Sequence, residues 1–122
     1  MPRMRRPAPS NASRLPDLFA DAGPLASRKG GYVYRPQQLG FARAVEKTLY
    51  ERGVLLADAP TGTGKSAAYL APAILDVASS GRRLVVSTAT LALQAQLLSE
   101  DIPPMRAAAA ELMGYPEEEG IS

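Results

Sequence analysis

Hydrophobic positions along this chain follow two periods, and the changes of period mark its elements. After Pro36, the apolar residues Leu39, Phe41, Ala42, Val45 and Leu49 recur at helical spacing, and the run ends at Gly53. Val54 to Ala57 then form an uninterrupted apolar run bounded by a glycine-rich turn. Such a run suits a strand buried on both faces of a parallel sheet. From Lys65, the residues Ala68, Ala71, Leu75 and Ala78 predict a second helix. Pro72 lies inside it, where a missing backbone donor predicts a kink. Gly81 closes that helix, and Leu84, Val85 and Val86 predict a second buried strand. Helical spacing returns over 91–100 through Leu91, Gln94, Ala95 and Leu98. A last helix is predicted from Pro103 or Pro104 to Met113, stopped by Gly114 and Pro116.

The order is helix, strand, helix, strand, helix, helix, which is a βαβ unit with its flanks. It predicts an α/β fold, the opening part of a parallel sheet with flanking helices. Two strands cannot cover both faces of a sheet, so the domain is expected to be incomplete. Upstream, residues 1–31 hold Pro2, Pro7, Pro9, Pro16 and Pro24 among Gly, Ser and Asn. That composition predicts a disordered, proline-rich arm, with one short helical turn allowed at Leu15, Leu18 and Phe19. Ordered structure is expected from near Tyr32.

Charge sharpens the contrast between arm and body. Arg3, Arg5, Arg6, Arg14, Arg28 and Lys29 face only Asp17 and Asp21, a balance of +4 over residues 1–29, whereas the whole chain carries +2. A basic arm adds non-specific attraction to a polyanion by releasing counterions. A solvated tail or a mistaken start site is the plainer reading. The 122 residues suit one domain. No apolar run approaches the roughly 20 residues of a membrane span, and the N-terminal arginines lack the apolar core of a signal peptide. No membrane association and a cytoplasmic location are therefore expected. Without cysteine this chain holds no disulfide, no thiolate metal site and no iron–sulfur cluster, and without histidine zinc chemistry is not expected.

The chemistry concentrates in ADAPTGTGKS, Ala57 to Ser66. Gly62, Gly64, Lys65 and Ser66 have the spacing of a phosphate-binding loop. Glycines let the backbone curl until successive N–H groups point at one anion. The following helix adds the positive end of its dipole. Lys65 is placed to reach the β- and γ-phosphates, and Ser66 to offer its hydroxyl to Mg²⁺. Ala59 stands where such loops usually carry another glycine. The bland alternative is a structural glycine turn, but the loop follows a predicted strand and opens a predicted helix.

Many nucleotide-dependent folds share that loop, so its neighbours decide more. YRPQQ at 34–38, DAPTGTGKS at 58–66 and STATLALQAQLLSEDIP at 87–103 together resemble superfamily 2 DNA helicases of the DinG group, related to XPD. The resemblance covers roughly residues 32–113 and implies that 32–122 form the N-terminal part of a first RecA-like ATP-binding domain. Helicases of this kind commonly carry an alanine where Ala59 stands. The resemblance further implies that Ala59, Pro60, Thr61, Gly62, Thr63, Gly64, Lys65 and Ser66 hold ATP with Mg²⁺, Lys65 and Ser66 serving catalysis. It matches Gln38 to the glutamine that reads the adenine edge. A side-chain amide can both donate to a ring nitrogen and accept from the exocyclic amine. Tyr32 or Tyr34 could stack nearby or act as a hydrophobic anchor, and Arg35 is open between fold and ligand. Thr88, Thr90 and Gln94 match a segment that touches the DNA backbone, where hydroxyls and an amide bond phosphate oxygens without reading bases. Their plainer role is strand-end and N-cap chemistry, which suits Thr90.

ATP hydrolysis also needs a carboxylate to hold Mg²⁺, another to orient water, and an arginine for the developing charge. The resemblance implies an Asp-Glu-Ala-His-like segment, a second RecA-like domain and, in the parent protein, cysteines for an iron–sulfur cluster. None stands in these 122 residues. The expectation is therefore an N-terminal fragment of an ATP-dependent DNA helicase acting on single-stranded or forked DNA, inactive alone. The alternatives are a P-loop ATPase without helicase activity and a non-catalytic nucleotide- or DNA-binding module.

Overall fold

The computed structural model describes residues 13–28, 32–58 and 64–115. Helix α1 spans Leu15–Phe19, α2 Pro36–Glu51, α3 Lys65–Ser80, α4 Leu91–Gln96 and α5 Ile102–Met113. Pro36 opens α2 at a position whose N–H has no helical partner in any case. Arg52 caps its end in the left-handed region, donating to the carbonyls of Leu49 and Thr48. Gly81 and Gly114 end α3 and α5 in the same conformation, which glycine adopts without a Cβ penalty.

Helix α3 is the centre of the core. Ala67, Ala68, Leu70, Ala71, Ile74 and Leu75 are buried along it. Alanines on that face let α2 approach closely, and α2 is its main neighbour, with α5 packing on it as well. The helix runs through Pro72 without interruption. At its far end, the Arg82 guanidinium contacts both oxygens of Asp76, at 2.8 and 3.0 Å.

The two helices expected over 91–100 and 103–113 are one continuous helical run. A π-helical turn, Leu97–Asp101, joins α4 to α5, with the Ile102 N–H donating to the Leu97 carbonyl. Its cause is local. Pro103 and Pro104 have no N–H for the carbonyls of Ser99 and Glu100, so a regular ladder cannot pass through this point.

Two expectations are corrected. The first is the sheet: among the described residues no strand forms. Val54, Leu56 and Val85, expected to be buried on both faces, are 90%, 94% and 88% exposed. A central parallel strand is covered only when ladders flank both its edges and helices both its faces. The described residues supply helices but no ladder. The Val54–Ala57 run instead lies beside the helices, where Leu55 and Ala57 join Phe41, Val45 and Tyr69 around an apolar cleft of about 270 Å³.

The second correction concerns the arm. Leu15, Leu18, Phe19 and Leu25 are all 0–1% exposed, among the most deeply buried side chains in the molecule. Because prolines count against order wherever they stand, composition predicted irregular chain there apart from the helical turn at Leu15, Leu18 and Phe19, which forms as α1. Here Pro16 sits in the first turn of α1, where it costs no hydrogen bond. Gly23 turns the chain so tightly that a Cβ would lie 2.4 Å from the Asp17 carbonyl oxygen. Residues 1–12 of the expected arm lie outside the described residues.

Candidate nucleotide site

The site is built around the start of α3. Gly64 is its N-cap, at φ 76° and ψ 41°, a left-handed conformation that suits glycine. Lys65, the first helical residue, is exposed, and Ser66 is half-buried. The first backbone N–H groups of α3 have no partner within the helix, because the ladder starts with Ala68 donating to the Gly64 carbonyl at 3.1 Å. A 16-residue helix thus presents donors and its positive dipole end beside Lys65 and Ser66. The expected loop residues Ala59, Pro60, Thr61, Gly62 and Thr63 lie outside the described residues.

Twenty-six residues upstream in sequence, Gln38 meets this helix start directly. It lies in the first turn of α2 and is 5% exposed. Its Nε2 donates to the Gly64 carbonyl at 3.0 Å. That acceptor fixes the orientation of the amide, since a flipped Oε1 would face another oxygen. Oε1 is buried without a partner. An orphaned buried acceptor costs about 1–3 kcal/mol unless a donor is supplied.

The approach is close enough that any side chain at position 64 would displace the Gln38 amide. A Cβ there would lie 2.0 Å from Gln38 Nε2. For Gly64→Ala we expect a loss of about 1–3 kcal/mol in urea denaturation, from left-handed strain and displacement of the Gln38 amide. In a Gln38→Ala background the same substitution is expected to cost less, because the collision is gone and only the strain remains. Equal cost in both backgrounds would show that the two residues are not coupled.

The other sequence-singled residues form a separate local group. The Thr90 hydroxyl accepts from the Leu93 N–H at 3.1 Å and caps α4. Its own proton remains available for donation. The Thr88 hydroxyl donates to the Thr90 carbonyl at 3.0 Å, and Gln94 is exposed on the first turn of α4. Among the described residues no hydrogen bond or ion pair links this group to Gln38 and Gly64. Tyr32 is anchored rather than free, its hydroxyl donating to the Phe19 carbonyl. Nothing in the local pattern pointed to that partner, thirteen residues away.

The donor set fits a nucleotide with Mg²⁺: a helix start, a lysine and a hydroxyl for phosphates, and an orphaned amide oxygen beside them. Comparison with known proteins decides the family. The DEAD/DEAH box helicase family matches residues 40–111, more than half of the chain. The chain belongs to the DEAD/DEAH box helicases. This family has a RecA-like fold, uses nucleotide with Mg²⁺ and acts on nucleic acid. Among curated proteins, the ATP-dependent DNA helicase YoaA of Haemophilus influenzae is 35% identical over 96 residues, 79% of this chain and 14% of that protein. The 3'-5' exonuclease DinG of Staphylococcus aureus is 41% identical over 78 residues, 64% of this chain and 9% of the relative. DinG of Staphylococcus haemolyticus is 34% identical over 105 residues, 86% of this chain and 11% of the relative. The likeness to the DinG group therefore extends over most of this chain, which itself spans 9–14% of these relatives. No solved structure matches it. No helix among the described residues is long and apolar enough to cross a membrane.

Proposed function

We propose that this chain contributes the nucleotide-binding part of an ATP-dependent DNA helicase, residues 32–122 forming the first portion of a RecA-like ATPase domain. One observation carries the reading: the buried Gln38 amide held against Gly64, with its Oε1 unpartnered beside the start of α3. Gln38 Oε1 accepts from the exocyclic amine of adenine, and the second Nε2 proton is available to a ring nitrogen. Lys65 binds the β- and γ-phosphates as a point charge, and the loop at 59–64 cradles them with its N–H groups. Ser66 holds Mg²⁺, which when bound neutralises phosphate charge. Thr88, Thr90 and Gln94 contact the backbone of single-stranded or forked DNA, sequence-tolerantly and with strong salt dependence. Some relatives are named as exonucleases, but the helicase match over 40–111 takes in the phosphate loop and favours the motor role.

Two measurements test this. In calorimetry with Mg·ATP and Mg·GTP, Gln38→Ala is expected to lose the preference for ATP while keeping most phosphate affinity. An unchanged ratio would return Gln38 to a purely structural role. In phosphate-release assays the chain alone is expected at background, with or without single-stranded DNA. Holding phosphates equally in ground and transition state does not raise the rate of the chemical step. A DNA-stimulated rate lost in Lys65→Ala would show instead that these residues form a complete catalytic site.

A further inference from the structure

The structure assigns the segment Ser13–Arg28 a part in the nucleotide site: fastened through Tyr32, it positions the Gln38 amide on Gly64. The inference rests on the nucleotide reading of Gln38 only for its effect on affinity.

Three tethers hold the segment. The Ser13 hydroxyl donates to Glu46 on α2 at 3.2 Å, and Arg28 pairs with Glu111 on α5 at 2.9 Å. Between them, the Tyr32 hydroxyl donates to the Phe19 carbonyl, on a residue 1% exposed and fully within the core. The Arg28–Glu111 pair is partly exposed and worth at most about 1 kcal/mol, and the Ser13–Glu46 bond is part-buried. The third is different, because Tyr32 lies only six residues before Gln38 and packs, with Tyr34, against the core. Pro36 fixes the start of α2, and the N–H groups of Gln38 and Leu39 donate to the Arg35 carbonyl at 3.1 and 3.2 Å. By this inference, a shift at Tyr32 passes along this short, core-packed lead-in to Gln38. A hydrogen bond of 3.0 Å tolerates little displacement before it fails.

Burial pushes the Tyr32 phenol up to about 12, with Asp21 and Tyr34 adding to the shift and Arg35 opposing it. The phenol thus stays a neutral donor throughout the ordinary pH range. The family match begins at residue 40, so both the tether and Gln38 lie outside it. The Staphylococcus haemolyticus relative nevertheless matches over 105 residues, more than the stretch from Tyr32 to Ser122 can hold. Part of the tethered segment therefore belongs to what the two proteins share.

The test uses the whole chain with Tyr32→Phe, Gln38→Ala and the double variant. Tyr32→Phe removes one oxygen and is expected to retain the helical spectrum. The Gln38 side-chain amide protons, followed by NMR, are expected to exchange about three- to tenfold faster in it. Affinity for Mg·ATP is expected to fall by a similar factor, and by less than twofold when Tyr32→Phe is added to Gln38→Ala. Unchanged Gln38 exchange, or a full additive penalty in the double variant, overturns the inference. So does acceleration spread over the α3 backbone amides, which would mark Tyr32 as a general stabiliser. If Gln38→Ala leaves nucleotide binding untouched, the nucleotide reading of Gln38 fails, and the exchange measurement alone decides the tether.

Discussion

Replacing Lys65 with alanine is expected to weaken Mg·ATP binding by roughly 10- to 100-fold while leaving the fold intact. Lys65 is the only cation between Ala57 and Ser66, and Asp58 is the only other charge in that stretch. A hydrogen bond to a charged partner contributes about 1.5–3 kcal/mol, and each 1.4 kcal/mol is tenfold in affinity. The start of α3 and its dipole survive the change, so some phosphate binding remains, worth about 0.3–1 kcal/mol. Lys65 is exposed, so unfolding free energy is expected to stay within about 0.5 kcal/mol of the parent. Calorimetry and urea denaturation on the same preparations separate the two effects. Equal affinities in both proteins would remove the phosphate role from this helix start. Lys65→Arg is expected to lose less than Lys65→Ala, since a guanidinium keeps the charge and also binds phosphate.

Phe19→Ala is expected to cost about 3–5 kcal/mol of stability, the usual range for emptying an aromatic site in a core. A small domain has only about 5–15 kcal/mol in total, so such a loss removes much of it. Phe19 is 1% exposed on α1, which packs against α2 and α5. Its carbonyl also receives the Tyr32 hydroxyl, so a collapsing cavity will disturb that bond too. Were residues 13–28 a loose arm, the same substitution would change stability by no more than about 0.5 kcal/mol. Chemical denaturation thus distinguishes an arm from a built-in part of the domain by a wide margin.

The contrast between these two substitutions shows what a local reading can reach. Lys65 and Ser66 are singled out by spacing alone, because an anion cradle would need glycines, a cation and a hydroxyl at fixed separations along one turn. Gln38 was singled out through the resemblance, yet its bond to Gly64 spans twenty-six residues and no local pattern encodes it. Tyr32 was open between stacking and anchoring, and only its partner on Phe19 distinguishes the two.

By itself the sequence determined α2, α3 and α5, with their proline starts and glycine ends. Helical hydrogen bonds close within the segment that makes them, so spacing and caps suffice. The family was legible as well, from three stretches whose order and separations match it. Tertiary structure alone decided the rest. It buried Leu15, Leu18, Phe19 and Leu25 despite the prolines around them, because burial depends on which faces meet. Among the described residues it gave Val54–Ala57 and Leu84–Val86 no strand partner, because a strand takes its hydrogen bonds from neighbours the local sequence does not contain. And it brought the Gln38 amide onto Gly64, because the packing of α2 on α3 sets which side chains lie across that contact.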